Sequence, residues 1–179
     1  MSSTIQVLPY SADILDNIIA DIEGQAAKNV VRKIIQCFYN EGCTINVQHV
    51  IPVKKSAYYR VLCFIKKSKE TVSINTKKDC SRDVVNEGVD IKIRIEDQNT
   101  FEKLAEFTNN IRNQILNAID CHYCSVKCKG KKYIFAFHGK EYVKCQYLGC
   151  NFRFPKIDES DIASIMIIVN AELAQKTNK

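Results

Sequence analysis

Five cysteines lie in one short segment near the C-terminus, and they constrain this chain more than any other sequence feature. They form two clusters, which are Cys121, Cys124 and Cys128, and then Cys145 and Cys150. Cysteine thiolates separated by a few residues can bind the same metal ion, and two such pairs complete a tetrahedral site. The spacing therefore predicts a metal site to which both clusters contribute.

The residues between the two clusters predict a β-hairpin. His138 and Gly139 offer a tight turn, and residues 141–143 lead the chain back towards Cys145. Before the turn, aromatic positions alternate with others, as in a strand with two different faces. The aromatic positions of this alternation are Tyr133, Phe135 and Phe137, and the others are Ile134, Ala136 and His138.

A hairpin with two cysteine pairs at its open end resembles the zinc ribbons in spacing and topology. The resemblance covers residues 121–150 only. Two differences separate this chain from that class: four residues rather than two lie between Cys145 and Cys150, and Cys128 is additional.

The metal ligands can be assigned in more than one way. The favoured ligands of the expected zinc ion are two cysteine pairs: Cys121, Cys124, Cys145 and Cys150. Cys128 is an alternative ligand because it can pair with Cys124, and His122 or His138 could replace a sulfur. Three close cysteines with a distant fourth also suit an iron–sulfur cluster. Structural or redox thiols without a metal are the third interpretation.

The positive charge of the chain is concentrated around these cysteines. Residues 121–156 hold eight basic residues and one acid, whereas the whole chain carries a net charge of +6. The remainder therefore sums to −1, and a zinc ion with four thiolates would lower the charge of the segment by two. Basic residues interleaved with aromatic ones predict a nucleic-acid surface.

The predicted nucleic-acid surface has phosphate contacts and a base-stacking residue. The phosphate contacts are Lys129, Lys131, Lys132, Lys140, Lys144 and Arg153, and the stacking residue is Tyr133, with Phe135 or Tyr147 as alternatives. The competing interpretation is that the lysines form an ordinary solvated face and that the aromatic residues form the small core of the hairpin.

Sequence motifs for catalysis are missing, which favours a binding protein over an enzyme. The chain has no zinc-deaminase, His-Glu-x2-His, Gly-x-Ser-x-Gly or phosphate-loop pattern. Four thiolates would also close a zinc site to substrate. The expected function is nucleic-acid or partner binding, and the alternatives are an assembly factor with a structural zinc or an iron–sulfur or thiol-redox protein. Without a targeting segment, the expected location is the cytoplasm, with no membrane association.

The remaining pattern predicts an α+β fold with an antiparallel sheet of about four strands, N-terminal helices, a long covering helix, the cysteine hairpin and a final helix. The expected units are a 1–120 α+β domain, a 121–157 metal-binding module and a 158–179 helix that packs on the main domain. The predicted helices are Ser11–Glu23, Gln25–Tyr39, Asn99–Ile119 and Asp158–Gln175, and the predicted strands are Thr44–Val53, Tyr58–Ile65, Glu70–Thr76 and Val89–Glu96.

Overall fold

A computed structural model describes residues 4–52, 57–65, 70–76, 89–118, 120, 132–145 and 152–174. The helices of this part are α1 (Ala12–Ala20), α2 (Gln25–Asn40), a 3₁₀ helix (Gln98–Glu106), α3 (Asn109–Leu116) and α4 (Asp161–Ala174). Its strands are β1 (Thr4–Leu8), β2 (Thr44–Ile51), β3 (Tyr58–Phe64), β4 (Val72–Asn75), β5 (Asp90–Ile93), β6 (Lys132–Phe137), β7 (Lys140–Cys145) and β8 (Phe152–Phe154).

Six of these strands form one antiparallel sheet in the order β1-β2-β3-β4-β5-β8, and β6 and β7 form a separate hairpin. The predicted α+β class is confirmed. The sheet is larger than predicted because β1 and β8 extend it at its two edges. Residues 152–154, which lie in the predicted 121–157 module, are thus a strand of the main sheet.

One face of the sheet packs against the helices and forms the core. Side chains alternate between the two faces of a strand. In five of the strands, the buried side chains point to the same face of the sheet. They include Val47, Val61, Val72, Ile74, Ile91, Ile93, Phe152 and Phe154. β5 lies within the predicted strand Val89–Glu96, and Val89, Ile91, Ile93 and Ile95 are all buried. Cys63 lies in the same core, where burial raises the pKa of its thiol.

The two N-terminal helices form where the sequence predicts them. Ser11 caps α1, and its hydroxyl accepts a hydrogen bond from the Ile14 amide at 3.2 Å. The buried stripe of α2 runs through Val30, Ile34 and Phe38. Each of these side chains is completely buried, so the helix packs through one apolar face.

The predicted long helix Asn99–Ile119 is wrong, because the chain breaks at Phe107 and Thr108. Phe107 has an extended backbone with a ψ of 150°, and Thr108 begins α3 by accepting a hydrogen bond from the Ile111 amide. The first part is a 3₁₀ helix that ends at Glu106. Phe101, Leu104 and Phe107 recur every three residues, a spacing compatible with three residues per turn, and all three are buried. The N-cap of the 3₁₀ helix is Asp97, which lies two residues before the predicted start at Asn99.

Arg112 stabilises this break. Its guanidinium donates to the carbonyl oxygens of Leu104 at 2.8 Å and Phe107 at 2.6 Å. These carbonyls lie at the end of the 3₁₀ helix, where the Leu104 carbonyl accepts from the Phe107 amide at 3.3 Å and no further helical turn donates additional amides. The guanidinium thus supplies further donors to the carbonyls at the break.

The last helix begins at Asp161, three residues after the expected start at Asp158. The buried Asp161 carboxylate accepts from the Thr108 hydroxyl, from the Asn110 amide at 2.5 Å and from the Asp158 backbone amide at 3.0 Å. The first turns of α3 and α4 are therefore joined, and α4 packs against α2, α3 and the 3₁₀ helix. None of the helices in the described ranges is long and apolar enough to cross a membrane.

Candidate site at the open end of the hairpin

The hairpin of β6 and β7 closes with the tight turn that the sequence predicts. His138 and Gly139 have φ values of 50° and 74°, both in the left-handed region. Two consecutive residues with positive φ form a type I′ turn, which matches the twist of the two strands that it joins. The turn sets the register, which pairs Phe137 with Lys140 at one end and Lys132 with Cys145 at the other.

Three points of the chain meet at the open end of this hairpin. Lys132 pairs with Cys145, and Asp120 forms a further antiparallel bridge to Lys144. Asp120 directly precedes Cys121 in the sequence, and Cys145 is followed by the segment that carries Cys150. The described ends of both cysteine-bearing segments thus lie side by side.

A buried lysine holds this junction together. The Lys144 side chain is 3% exposed, and its Nζ donates to the carbonyl oxygens of Leu116 at 2.5 Å and Ala118 at 2.8 Å. The same atom lies 2.6 Å from Oδ1 of Asp120. A cation favours the carbonyl end of a helix, so Lys144 both caps α3 and fixes Asp120 beside β7.

The inner face of the hairpin packs on the 3₁₀ helix and on β8 through aromatic rings. Phe135 stacks on Phe101 of the 3₁₀ helix, with 4.4 Å between the ring centroids. Tyr133 contacts Phe101 at 5.4 Å and Phe152 of β8 at 5.2 Å. The aromatic residues of β6 therefore form part of the core.

Of the five cysteines predicted as metal ligands, the structure describes Cys145. Cys145 is 2% exposed and ends β7, whereas Cys121, Cys124, Cys128 and Cys150 lie outside the described residues. His122 also lies outside them, and His138 is exposed in the turn. Among the described residues, no group of three or more His, Cys, Asp or Glu side chains could hold a metal ion.

The predicted nucleic-acid contacts have different environments. Lys140 is exposed, with Nζ 5.0 Å from the Tyr142 ring centroid, and Lys132 is half-buried. Arg153 is 52% exposed and makes two hydrogen bonds to Asp90, at 3.2 and 2.6 Å. Lys129 and Lys131 lie outside the described residues.

Two further members of that predicted set, Lys144 and Tyr133, face the interior. The two residues are cross-strand partners, so their side chains share the inner face of the hairpin. Lys144 follows the aromatic Tyr142 by two residues, and this spacing was the sequence signal for its inward position. Because both side chains face the interior, they contribute to the packing of the hairpin.

A buried carboxylate in α4 was not singled out from the sequence. Glu172 is 2% exposed, and its Oε1 accepts from the backbone amides of Glu96 at 2.8 Å and Asp97 at 3.0 Å. Burial raises the pKa of Glu172 to about 7, although the two amide hydrogen bonds oppose the shift. Its position seven residues after Ile165, on the buried stripe of the helix, was the available signal.

Comparisons of this chain with known protein families, curated proteins and solved structures give no match. A functional assignment consequently depends on the residues and contacts of this chain.

Proposed function

We propose that the chain is a zinc-binding protein in which Cys121, Cys124, Cys145 and Cys150 hold one structural Zn²⁺ at the open end of the hairpin. The meeting of Asp120, Lys132 and Cys145 supports this assignment. Cys121 and Cys145 are each one residue from the bridge that joins Asp120 to Lys144. Ligands this close in sequence to a shared bridge can bind the same ion.

The ion would take its other ligands from the two segments that carry the remaining cysteines. A structural zinc site takes four ligands, and thiolate sulfurs bind at about 2.3 Å. Cys128 is the alternative ligand in place of Cys121, and an iron–sulfur cluster or unmetallated thiols are competing occupants of the same cysteines. A reducing compartment, the cytoplasm, suits all of these because it keeps thiols from forming disulfides.

Zinc content in purified variants tests the assignment. We expect one zinc per chain in the native protein and loss of the metal in C145S and C150S. The matched control is C37S, because Cys37 lies in α2 and outside the cysteine clusters. Zinc that is retained in both cluster variants would exclude the proposed ligand set.

Nucleic acid is the partner that the charge distribution favours. The segment from 121 to 156 carries all of the net positive charge of the chain, and Lys140 and Arg153 place cations on its surface. Lys129 and Lys131 shortly precede Lys132, the first residue of β6, in the sequence. Such contacts bind phosphates, and the release of counterions makes the affinity depend on salt.

Titration against single- and double-stranded DNA and RNA at several salt concentrations tests the nucleic-acid partner. K140A is expected to weaken binding and to lower the salt dependence by about one phosphate contact. K103A is the control, since Lys103 is exposed on the 3₁₀ helix outside the basic segment. Binding that is absent, or that does not change with salt, would exclude nucleic acid.

A protein partner is the second candidate, because the outer face of the hairpin exposes an apolar side chain. Ile134 is 52% exposed, and its cross-strand neighbour Val143 is half-buried. In this case zinc would only fold the hairpin. The distinguishing result is a complex in pull-down experiments that I134K removes, with no affinity for nucleic acid.

A further inference from the structure

One edge of the main sheet is an uncharged strand whose side chains are largely exposed. β1 has the sequence TIQVL and pairs with β2, and in the described part of the chain no strand pairs with its other side. Ile5 is 49% exposed and Val7 is 71% exposed. Edge strands are usually protected by charges, prolines or bulges. β1 contains no charged residue or proline, although Pro9 follows it.

The backbone of β1 indicates what kind of partner this edge accepts. An edge strand presents a row of amide and carbonyl groups, and another extended strand satisfies them. The exposed residues Ile5 and Val7 share one face because they are two positions apart. An extended strand with small apolar residues on one face and no charge therefore fits the edge.

The strand is complementary to a second copy of itself. In an antiparallel pair centred on Gln6, Ile5 of one copy lies opposite Val7 of the other, and this contact occurs twice. Gln6 lies opposite its own counterpart, where two amide side chains can donate to and accept from each other. Apolar cross-strand pairs contribute roughly 0.2–1 kcal/mol each, and no like charges oppose each other in this register.

We infer that the chain forms a two-fold symmetric dimer in which the two β1 strands pair antiparallel and join the two sheets. The symmetry is that of the commonest closed oligomers, in which one patch contacts itself. Five residues a side make a small interface, so the dimer is expected to dissociate on dilution. This inference does not depend on the zinc site or on nucleic acid.

Sedimentation equilibrium of the full chain over a wide concentration range tests the dimer. We expect a reversible monomer–dimer equilibrium that V7K weakens by roughly tenfold or more, since the new lysines would be desolvated beside an apolar residue. A163K is the control, because it places the same charge on an exposed apolar side chain of α4, outside β1. It should leave the equilibrium unchanged.

A charge pair tests the register. In I5E/V7K, each substituted position 5 faces a substituted position 7 of opposite charge, so association should recover relative to V7K. In I5K/V7K the facing charges repel, and association should remain weak. If V7K alone perturbs folding, the comparison of the two double variants still tests the proposed pairing of the β1 strands.

Three results would overturn the inference. They are a monomer at all concentrations, a dimer that V7K leaves intact, and double variants that do not differ. A monomer that captures an extended peptide at this edge would assign β1 to a different partner.

Discussion

The ammonium of Lys144 lies 2.6 Å from the carboxylate of Asp120, and this ion pair joins the second strand of the hairpin to the residue that precedes Cys121. The same ammonium caps α3 through the carbonyls of Leu116 and Ala118. One buried cation therefore connects α3, the second strand of the hairpin and Asp120. The proposed zinc site depends on this connection.

Replacing Lys144 with methionine should destabilise the protein by about 2 kcal/mol. The variant keeps the apolar stem but leaves two carbonyl oxygens and Asp120 without their charged donor, and hydrogen bonds to charged groups contribute roughly 1.5–3 kcal/mol. Urea denaturation of K144M measures the loss of unfolding free energy. K140M is the control, because Lys140 is exposed and its replacement should change stability by less than about 0.5 kcal/mol. Equal stabilities of the two variants would contradict the capping role.

The aromatic contact between Phe135 and Phe101 should hold the hairpin on the 3₁₀ helix. F135A removes a ring that is 8% exposed and stacked at 4.4 Å, and large-to-small substitutions of buried aromatic residues cost about 3–5 kcal/mol. We expect a loss near 3 kcal/mol in urea denaturation and faster amide hydrogen exchange in β6 and β7. I134A, on the exposed face of the same strand, should cost less than about 1 kcal/mol. Unchanged exchange in F135A would show that the hairpin is held by other contacts.

Glu172 should make the stability of the protein depend on pH. Its pKa rises from 4.5 to about 7 on folding, chiefly because the buried carboxylate loses its hydration. The native state therefore binds the proton more tightly than the unfolded state. The contribution to stability is complete below about pH 4.5, falls as the pH rises through 7 and is lost above it. Glu96 and Asp97, the acids that face this carboxylate, raise its pKa further.

The variant E172Q tests this linkage, because an amide keeps the acceptor oxygen and cannot ionise. Between about pH 5 and pH 8, the native protein should lose on the order of 1–3 kcal/mol relative to E172Q, since each pKa unit corresponds to about 1.4 kcal/mol. Urea denaturation at several pH values measures the difference. E102Q, at an exposed acid of the 3₁₀ helix, should follow the native profile. Parallel profiles for the native protein and E172Q would contradict the raised pKa.

Removing the metal should expose the cysteine segments to proteases and leave the main sheet folded. The binding energy of a structural zinc ion is local folding energy. The hairpin strands keep their aromatic contacts with Phe101 and Phe152, so cleavage is expected in residues 121–131 and 146–151 rather than in β1–β5. Limited proteolysis with and without a chelator, read by mass spectrometry, locates the cuts. Cleavage that is unaffected by the chelator would contradict a metal in these segments.

The sequence predicts those elements that have a strong periodic pattern or a cap. The strand around β5, the helix that follows Ser11 and the turn at His138 and Gly139 all appear in the structure. β8 was missed because three residues are too short for a period to be recognised, and β1 because most of its side chains are exposed. The spacing of Phe101, Leu104 and Phe107 fits both an α-helix and a 3₁₀ helix. Only the break at Phe107 shows that the structure is not one long α-helix.

The hairpin that carries the candidate site was predictable from the sequence, whereas the environments of its side chains were less so. Cysteine spacing predicted a hairpin with Cys145 at its open end, where β7 ends. Counting lysines could not show that Lys144 points inward, because its position depends on pairing with Tyr133 and on the end of α3. Net charge identifies a basic segment, whereas tertiary contacts determine which cations reach the surface.

X-ray absorption at the zinc edge of the native protein tests the proposed metal site most directly. The site predicts one zinc ion per chain surrounded by four sulfur atoms at about 2.3 Å. In C145S, the zinc should be absent or should have lost one sulfur neighbour. A protein without zinc, or a zinc ion bound mainly by nitrogen or oxygen at about 2.0 Å, would contradict the account.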